Sequence, residues 1–103
     1  MTTKKMTDTP PPVALTKNAF DQFKVALKRE MQPKNTGLRL KLIQVAGGFR
    51  YDILFETKEI PNDVCFVQSG IKIFVQQSDL HYLEGTLIDF IGGGFLIQNQ
   101  FTP

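Results

Sequence analysis

Hydrophobic residues recur at two different spacings along this chain, and the change of spacing marks its elements. From Thr16 to about Glu30 they return every three or four positions, which predicts an amphipathic helix with Thr16 as its N-cap. The face opposite the apolar one carries charged side chains, namely Lys17, Asp21, Lys24 and Lys28. This part of the chain is therefore predicted to pack one face of a helix against a core.

After Gly37 the spacing of the apolar residues changes to two, which is typical of half-buried strands. Turn-forming residues divide this region into six short predicted strands, over 38–43, 51–56, 64–67, 71–75, 86–91 and 95–99. A single helical turn capped by Ser78 and ending at Leu83 is predicted between the fourth and fifth strands. Because the connections are short, antiparallel or mixed pairing is favoured. The predicted fold class is α+β: a small β-sandwich of short, mostly antiparallel or mixed strands with one N-terminal amphipathic helix and one short helix.

Length and composition indicate one small globular domain. The chain has 103 residues, of which 42% are hydrophobic and 21% charged, and its net charge is +2. Residues 1–12 are polar and end in three prolines, so they are predicted to be a disordered arm, and 13–103 a single domain. The charge is too weak to predict nucleic-acid binding. The sequence shows neither a secretory signal nor an apolar run long enough to cross a membrane, so a cytoplasmic protein is expected.

Two side chains are candidates for binding a metal. Cys65 is the only cysteine of the chain and His81 the only histidine. Cys65 lies among apolar residues, where a free cysteine packs as a small hydrophobe, and this core position is the favoured interpretation. A metal-ligand or redox role for Cys65 is the alternative. His81 has no paired carboxylate motif around it, so a solvated surface histidine is favoured over a ligand.

Glycine-rich loops and carboxylates complete the candidate chemistry. The loop Ala46-Gly47-Gly48 lacks the longer glycine spacing and the lysine of a phosphate-binding loop, so a tight turn between strands is expected. The carboxylates are dispersed through different elements and are expected to be hydrogen-bonded structural groups; they include Asp52, Glu56, Asp63, Asp79, Glu84 and Asp89. No nucleophile and base stand in a recognisable pattern, which predicts that the protein is not an enzyme.

A series of short segments follows the order seen in one known family. The segments are Leu15-Thr16, Gly37-Leu38-Arg39-Leu40, Gly48-Phe49-Arg50-Tyr51, Asp63-Val64-Cys65-Phe66, Gly70-Ile71-Lys72-Ile73, Leu80-His81-Tyr82-Leu83-Glu84-Gly85-Thr86 and Gly94-Phe95-Leu96-Ile97-Gln98-Asn99. In this order the chain resembles the A-type iron–sulfur carriers, also called HesB-like or IscA-like proteins. The resemblance implies that family's fold, a role in scaffolding or transferring clusters, and a homodimer or tetramer.

The chain departs from this family at the residues that bind the cluster. The family's first cysteine falls at Ala46, and its other two belong to a Cys-Gly-Cys tail after the last strand, whereas here Asn99 is followed by Gln100. Alanine has no donor atom, and iron–sulfur clusters are held mainly by cysteine thiolates. The resemblance therefore implies a divergent member whose loop at Ala46, Gly47 and Gly48 holds no conventional cluster or metal.

The expected function is a role in iron–sulfur cluster assembly as a binding or regulatory partner without conventional cluster ligation. The expected partners are an iron–sulfur assembly protein or an apo-acceptor protein, and a second copy of the chain in a homodimer, with neither nucleic acid nor membrane. One open alternative is an iron or cluster binder with unusual ligands, namely Cys65 with His81 as a further candidate, since a dimer would supply two Cys65 thiols. Another is a structural or protein-interaction domain unrelated to iron.

Overall fold

Two β-sheets face each other across a shared apolar core. The computed structural model describes residues 12–99, and these residues form seven strands and two helices. In chain order they are β1 (Val13–Leu15), α1 (Lys17–Arg29), β2 (Gly37–Val45), β3 (Gly48–Glu56), β4 (Asp63–Gln68), β5 (Ile71–Gln76), α2 (Gln77–Leu83), β6 (Thr86–Ile91) and β7 (Gly94–Gln98). The predicted α+β class and the six predicted strands are confirmed.

The strands are divided unequally between the two sheets. The three-stranded sheet has the order β1-β6-β7, and the four-stranded sheet has the order β3-β2-β5-β4. The β1–β6 and β2–β5 pairs are parallel, and the three hairpins β2–β3, β4–β5 and β6–β7 are antiparallel. Mixed pairing is therefore confirmed, with the parallel pairs formed by strands that are distant in sequence.

The core is built from the inner faces of both sheets, one face of α1 and Leu83 at the end of α2. Its buried side chains are Val13, Leu15, Ala19, Phe23, Leu38, Leu40, Ile71, Ile73, Val75, Leu83 and Ile88. The ring centroid of Phe23 in α1 lies 5.6 Å from that of Phe55 in β3, which joins the helix to the edge of the four-stranded sheet. Burying an aliphatic side chain of this size contributes about 1.5–3 kcal/mol, so the core supplies most of the driving force for folding.

Thr16 fixes the start of α1, as predicted. Its hydroxyl oxygen accepts a hydrogen bond from the Ala19 amide at 3.1 Å, and the same hydroxyl donates to Asp89 Oδ1 in β6 at 2.7 Å. Asp89 Oδ1 also accepts from the Phe90 amide at 2.8 Å. Asp89 is thus a hydrogen-bonded structural group that holds the helix start against the three-stranded sheet.

Two local features differ from the sequence-based expectation. The strand β1 was not predicted, because three residues are too few to show a period and their partner β6 is distant in sequence. The short helix α2 has Gln76 as its N-cap instead of Ser78, and no side chain caps it. The reason is that the chain enters α2 directly from β5, so the extended backbone of Gln76 already provides the cap position.

The predicted terminal arm lies almost wholly outside the described residues. Residues 1–11 and 100–103 are not among them, so the structure describes only Pro12 of the predicted arm 1–12. The carbonyl oxygen of Pro12 accepts hydrogen bonds from the Gly85 amide at 2.9 Å and the Thr86 amide at 3.2 Å. Pro12 therefore belongs with β1 and β6 at the edge of the three-stranded sheet.

Gly37 is required by the close approach of two parallel strands. A Cβ atom at this position would collide with the carbonyl oxygen and the Cβ of Lys72 in β5. Its neighbour Leu38 pairs with Ile73, which begins the parallel contact between β2 and β5. A glycine at the start of β2 therefore lets the two central strands of the four-stranded sheet come together.

Arg39 is buried, although it is a charged residue in a strand predicted only to be half-buried. Its guanidinium donates to both oxygens of Asp63 at 2.7 Å each, and its Nε donates to Glu56 Oε1 at 2.6 Å. The guanidinium also lies 5.4 Å from the ring centroid of Phe74. The side chains of Arg39 and Asp63 are 5% and 0% exposed. A buried ion cluster therefore connects β2, β3 and β4 across β5.

Replacing Arg39 by Met should destabilise the protein by about 3–5 kcal/mol, because the fully buried Asp63 carboxylate and the partly exposed Glu56 carboxylate would lose their counter-charge. The measurement is urea unfolding at neutral pH. The matched control is Arg50→Met, which removes an exposed pair with Asp52 and should cost less than about 1 kcal/mol. Equal losses in the two variants would show that the buried cluster has no special role.

Acid should also weaken this cluster. The Arg39 guanidinium holds the pKa of Asp63 well below its usual range, so the ionised carboxylate stabilises the fold above about pH 4 and that contribution is lost as pH falls. At neutral pH an Asp63→Asn variant should be less stable than the native protein. The difference should shrink as pH falls towards about 2, because the carboxyl of the unfolded chain becomes protonated before that of the folded protein, and this proton uptake favours unfolding of the native chain. Urea unfolding across this range tests it, and a gap that stays constant with pH would contradict it.

Candidate functional site

The β2–β3 hairpin carries the loop at which the family's first cysteine would stand. Val45 pairs with Gly48, so Ala46 and Gly47 form a two-residue loop at the tip. Gly47 has a φ of +88°, in the left-handed region that favours glycine. Ala46 is exposed and offers only a methyl group. The tight turn expected from the sequence is confirmed, and the tip itself brings no donor atom to a metal.

Exposed aromatic side chains lie beside this hairpin. Phe49 in β3 is 47% exposed and Tyr82 in α2 is 38% exposed, and their ring centroids are 5.4 Å apart. The exposed His81 ring meets the Tyr82 ring edge-on, with centroids 5.1 Å apart. We call Phe49, Tyr82 and His81 the hairpin aromatic cluster. The structure thus places His81 on the surface, as the favoured interpretation required, and beside the hairpin, which the sequence did not reveal.

Asn99 fixes the point at which the chain leaves the last strand. Its side-chain amide donates to Thr86 Oγ1 at 2.9 Å and to the Tyr51 hydroxyl oxygen at 3.3 Å. Thr86 belongs to the three-stranded sheet and Tyr51 to the four-stranded sheet, so this amide bridges the two. Tyr51 lies two residues from Phe49 on the same face of β3. Asn99, where the chain leaves β7, therefore lies close to the hairpin aromatic cluster.

Cys65 is placed far from that hairpin in the sheet order. It lies in β4, whereas the hairpin includes β3, and these strands are the two opposite edges of the four-stranded sheet. Cys65 is half-buried and pairs with Phe74 of β5. Burial raises the pKa of its thiol, and the nearby Glu59 carboxylate raises it further. Because the thiolate is the form that binds metal, this environment disfavours ligation.

The candidate ligands are not brought together. In residues 12–99 no group of three or more His, Cys, Asp and Glu side chains is close enough to hold a metal ion. The carboxylates Glu56, Asp63 and Asp89 are engaged by Arg39 and Thr16. The described residues alone therefore do not supply the donor atoms that would hold an iron–sulfur cluster.

A concave pocket offers a binding site of a different kind. An apolar pocket of about 220 Å³ opens between α1, β3 and β7, lined by Phe23, Ala26, Ile53, Leu54, Phe55 and Phe95. These side chains offer no ligating atom, so the pocket is suited only to apolar groups.

Among the described helices, none is long and apolar enough to span a membrane.

Cys65 should react slowly with an alkylating reagent. Because its thiol is half-buried and its pKa is raised, we expect alkylation by iodoacetamide at neutral pH to be about tenfold slower than that of a cysteine at the exposed hairpin tip. The comparison protein carries Ala46→Cys in a Cys65→Ser background, and mass spectrometry measures both rates. Equal rates would mean that Cys65 is accessible and would favour the unusual-ligand alternative.

Proteins with similar sequences include several that are named for iron–sulfur cluster insertion. The chain is 33% identical over 94 residues to the iron–sulfur cluster insertion protein ErpA of Buchnera aphidicola subsp. Cinara cedri, a match that covers 84% of this chain and 82% of that protein. It is 34% identical over 96 residues to the Bacillus subtilis protein named SufA, covering 85% of this chain and 77% of that one. No family model matches the sequence.

Solved structures with the same architecture lead to the same family. The crystal structure of Escherichia coli SufA, involved in biosynthesis of iron–sulfur clusters, superposes with a TM-score of 0.73 at 26% identity and covers 88% of this chain and 82% of that one. The crystal structure of IscA with its 2Fe–2S cluster has a TM-score of 0.77 at 23% identity and covers 85% of each chain, which shows the shared fold. The sequence matches and the shared fold show that the chain belongs to the A-type iron–sulfur carrier family, also called HesB-like, of which it is a divergent member with one cysteine in its whole sequence.

Proposed function

We propose that this protein takes part in iron–sulfur cluster assembly by binding an assembly protein or an apo-acceptor protein, without holding a cluster through the family's cysteines. The observation that carries the proposal is the hairpin tip. The fold and the hairpin of the family are retained, while Ala46 supplies no donor atom and the described residues offer no substitute set of ligands. The hairpin end of the molecule therefore offers an exposed surface without metal ligands, and the function of this surface is to recognise the partner protein.

The hairpin aromatic cluster is the proposed contact for that partner. Aromatic side chains are enriched at the centres of protein interfaces, because they bury a large area at a small entropic cost. Phe49 and Tyr82 are both partly exposed and already packed against each other. The pair is therefore preorganised, which lowers the cost of ordering these side chains on binding.

The proposal also covers the oligomeric state, the location and the chemistry of the protein. The protein acts as a homodimer in the cytoplasm, is not an enzyme, and needs neither a resident cofactor, a nucleic acid nor a membrane. The alternative of an iron or cluster binder that uses Cys65 and His81 has less support. These residues lie on β4 and α2, and the Cys65 pKa is raised. A domain unrelated to iron has less support still, since the relatives carry names from cluster insertion.

Anaerobic reconstitution with iron and sulfide tests the absence of conventional ligation. We expect the native protein and its Cys65→Ser variant to bind no stoichiometric cluster, measured as bound iron, bound sulfide and the visible absorption spectrum. The Ala46→Cys protein is the positive control for a donor at the hairpin tip, and it should retain more iron than either. A stoichiometric cluster that is lost in Cys65→Ser would instead establish unusual ligation.

Partner binding is measured in parallel. A purified cluster-assembly scaffold or apo-acceptor protein should bind the native chain in a pull-down, and a Phe49→Ser/Tyr82→Ser variant should bind about tenfold or more weakly, because interface aromatic residues each contribute about 1–2 kcal/mol or more. The matched control is Val67→Ser, a change at another exposed apolar residue on the opposite edge strand β4. Equal binding by all three proteins would refute the aromatic contact, and no association at all would refute the partner role.

A further inference from the structure

The helix α1 and the turn after it concentrate positive charge. From Lys17 to Lys34 the chain carries five basic and two acidic side chains, a net charge of +3, whereas the other described residues carry five basic and seven acidic ones, a net charge of −2. The solvent-facing residues of this segment include Lys17, Lys24, Val25, Lys28 and Met31, which we call the outer face of α1. The net charge of +2 for the whole chain does not reveal that positive charge is concentrated in this segment.

Helical geometry aligns the lysines of the outer face. At about 100° per residue, Lys17, Lys24 and Lys28 fall along one stripe of the helix. The Lys17 ammonium is engaged by Asp21 at 2.9 Å, and the Lys24 ammonium lies 5.4 Å from the Phe20 ring centroid. Within residues 12–99 no carboxylate forms an ion pair with Lys24 or Lys28. These two ammonium groups therefore remain available to carboxylates from outside.

Apolar side chains adjoin the two lysines. Val25 is 49% exposed, and Met31, just beyond the end of α1, is 89% exposed. Val25 lies one turn before Lys28 on α1. The Met31 amide, just after the helix, donates a hydrogen bond to the Lys28 carbonyl oxygen at 3.1 Å. Exposed apolar groups beside cations that pair with no carboxylate of residues 12–99 give a surface that is complementary to a segment alternating carboxylates with apolar side chains.

We propose that the outer face of α1 binds an acidic segment of a partner protein. Carboxylates of that segment pair with Lys24 and Lys28, and an apolar side chain of the same segment covers Val25 and Met31. The surface is on a different element from the hairpin aromatic cluster, so the inference goes beyond the proposed function and holds whether or not the partner carries iron.

The same observations disfavour phosphate polymers and membranes as the occupant. The carboxylate of Asp21 lies inside the lysine stripe and that of Glu30 lies at its end, where both would repel a continuous phosphate backbone. A protein segment can place its few carboxylates around them. Insertion into a membrane would need the apolar face of α1, but Ala19 and Phe23 on that face are buried in the core.

The test uses a fluorescein-labelled synthetic peptide of repeated Glu-Ala-Leu-Glu units and the full chain, with fluorescence anisotropy at low ionic strength, where surface charges are least screened. We expect saturable binding that weakens with added salt. A peptide with Gln in place of every Glu should bind about tenfold more weakly or not at all. A Lys24→Glu/Lys28→Glu variant should lose about tenfold in affinity for the acidic peptide, because two attractive contacts become repulsive.

The matched control carries the same charge change elsewhere. Lys41→Glu/Lys72→Glu alters two exposed lysines of β2 and β5 and should change the affinity less than about threefold, since only long-range attraction is lost. Circular dichroism confirms that both variants are folded. Equal weakening by the two variants, or no binding of the acidic peptide, would overturn the proposal. So would tighter binding of polyuridylate, or of phosphatidylglycerol vesicles, than of the peptide.

Discussion

The buried guanidinium of Arg39 is the interaction on which the four-stranded sheet depends. Its hydrogen bonds reach Glu56 at the end of β3 and Asp63 at the start of β4, and its plane lies near the Phe74 ring in β5. A single side chain from β2 thus touches all three other strands. Because a buried charge is tolerated only when every donor finds a partner, the cluster restricts how these strands can be arranged as well as adding stability.

Two side-chain amides then connect the sheets at their open sides. Gln68 at the end of β4 accepts a hydrogen bond from the Leu15 amide of β1 at 2.8 Å. On the other side, Asn99 joins Thr86 to Tyr51. Edge strands leave unpaired backbone groups, and each of these amides ties an edge of one sheet to the other sheet. The two sheets are therefore held together by the apolar core and by two polar contacts, one through Gln68 and the other through Asn99.

These restraints explain what fixes the shape of the hairpin end. The path of β2 and β3 is set by the core, by Arg39 and by Asn99, and none of these groups involves a metal ligand. The hairpin and the adjoining aromatic rings are therefore held in place without a contribution from the Ala46 side chain. The residues that stabilise the fold are different from the residue at the hairpin tip.

The sequence by itself determined the local elements and the absence of a donor side chain at position 46. Apolar spacing predicted α1 and the six longer strands, Thr16 marked the helix start, and the absence of a donor at position 46 is visible in the residue itself. These features depend on neighbours within a few residues, whose side-chain spacing and backbone preferences are written in the local sequence.

The tertiary structure alone decided the rest. It turned Arg39 inward, which the alternation along β2 does not reveal, and it brought Glu56 and Asp63 together from separate strands. It paired β1 with β6, set His81 and Tyr82 beside Phe49, and left Cys65 on the opposite edge of the sheet. Each of these outcomes joins residues distant in sequence. Their contact free energy depends on burial and partner geometry, which exist only once the strands have paired across the fold.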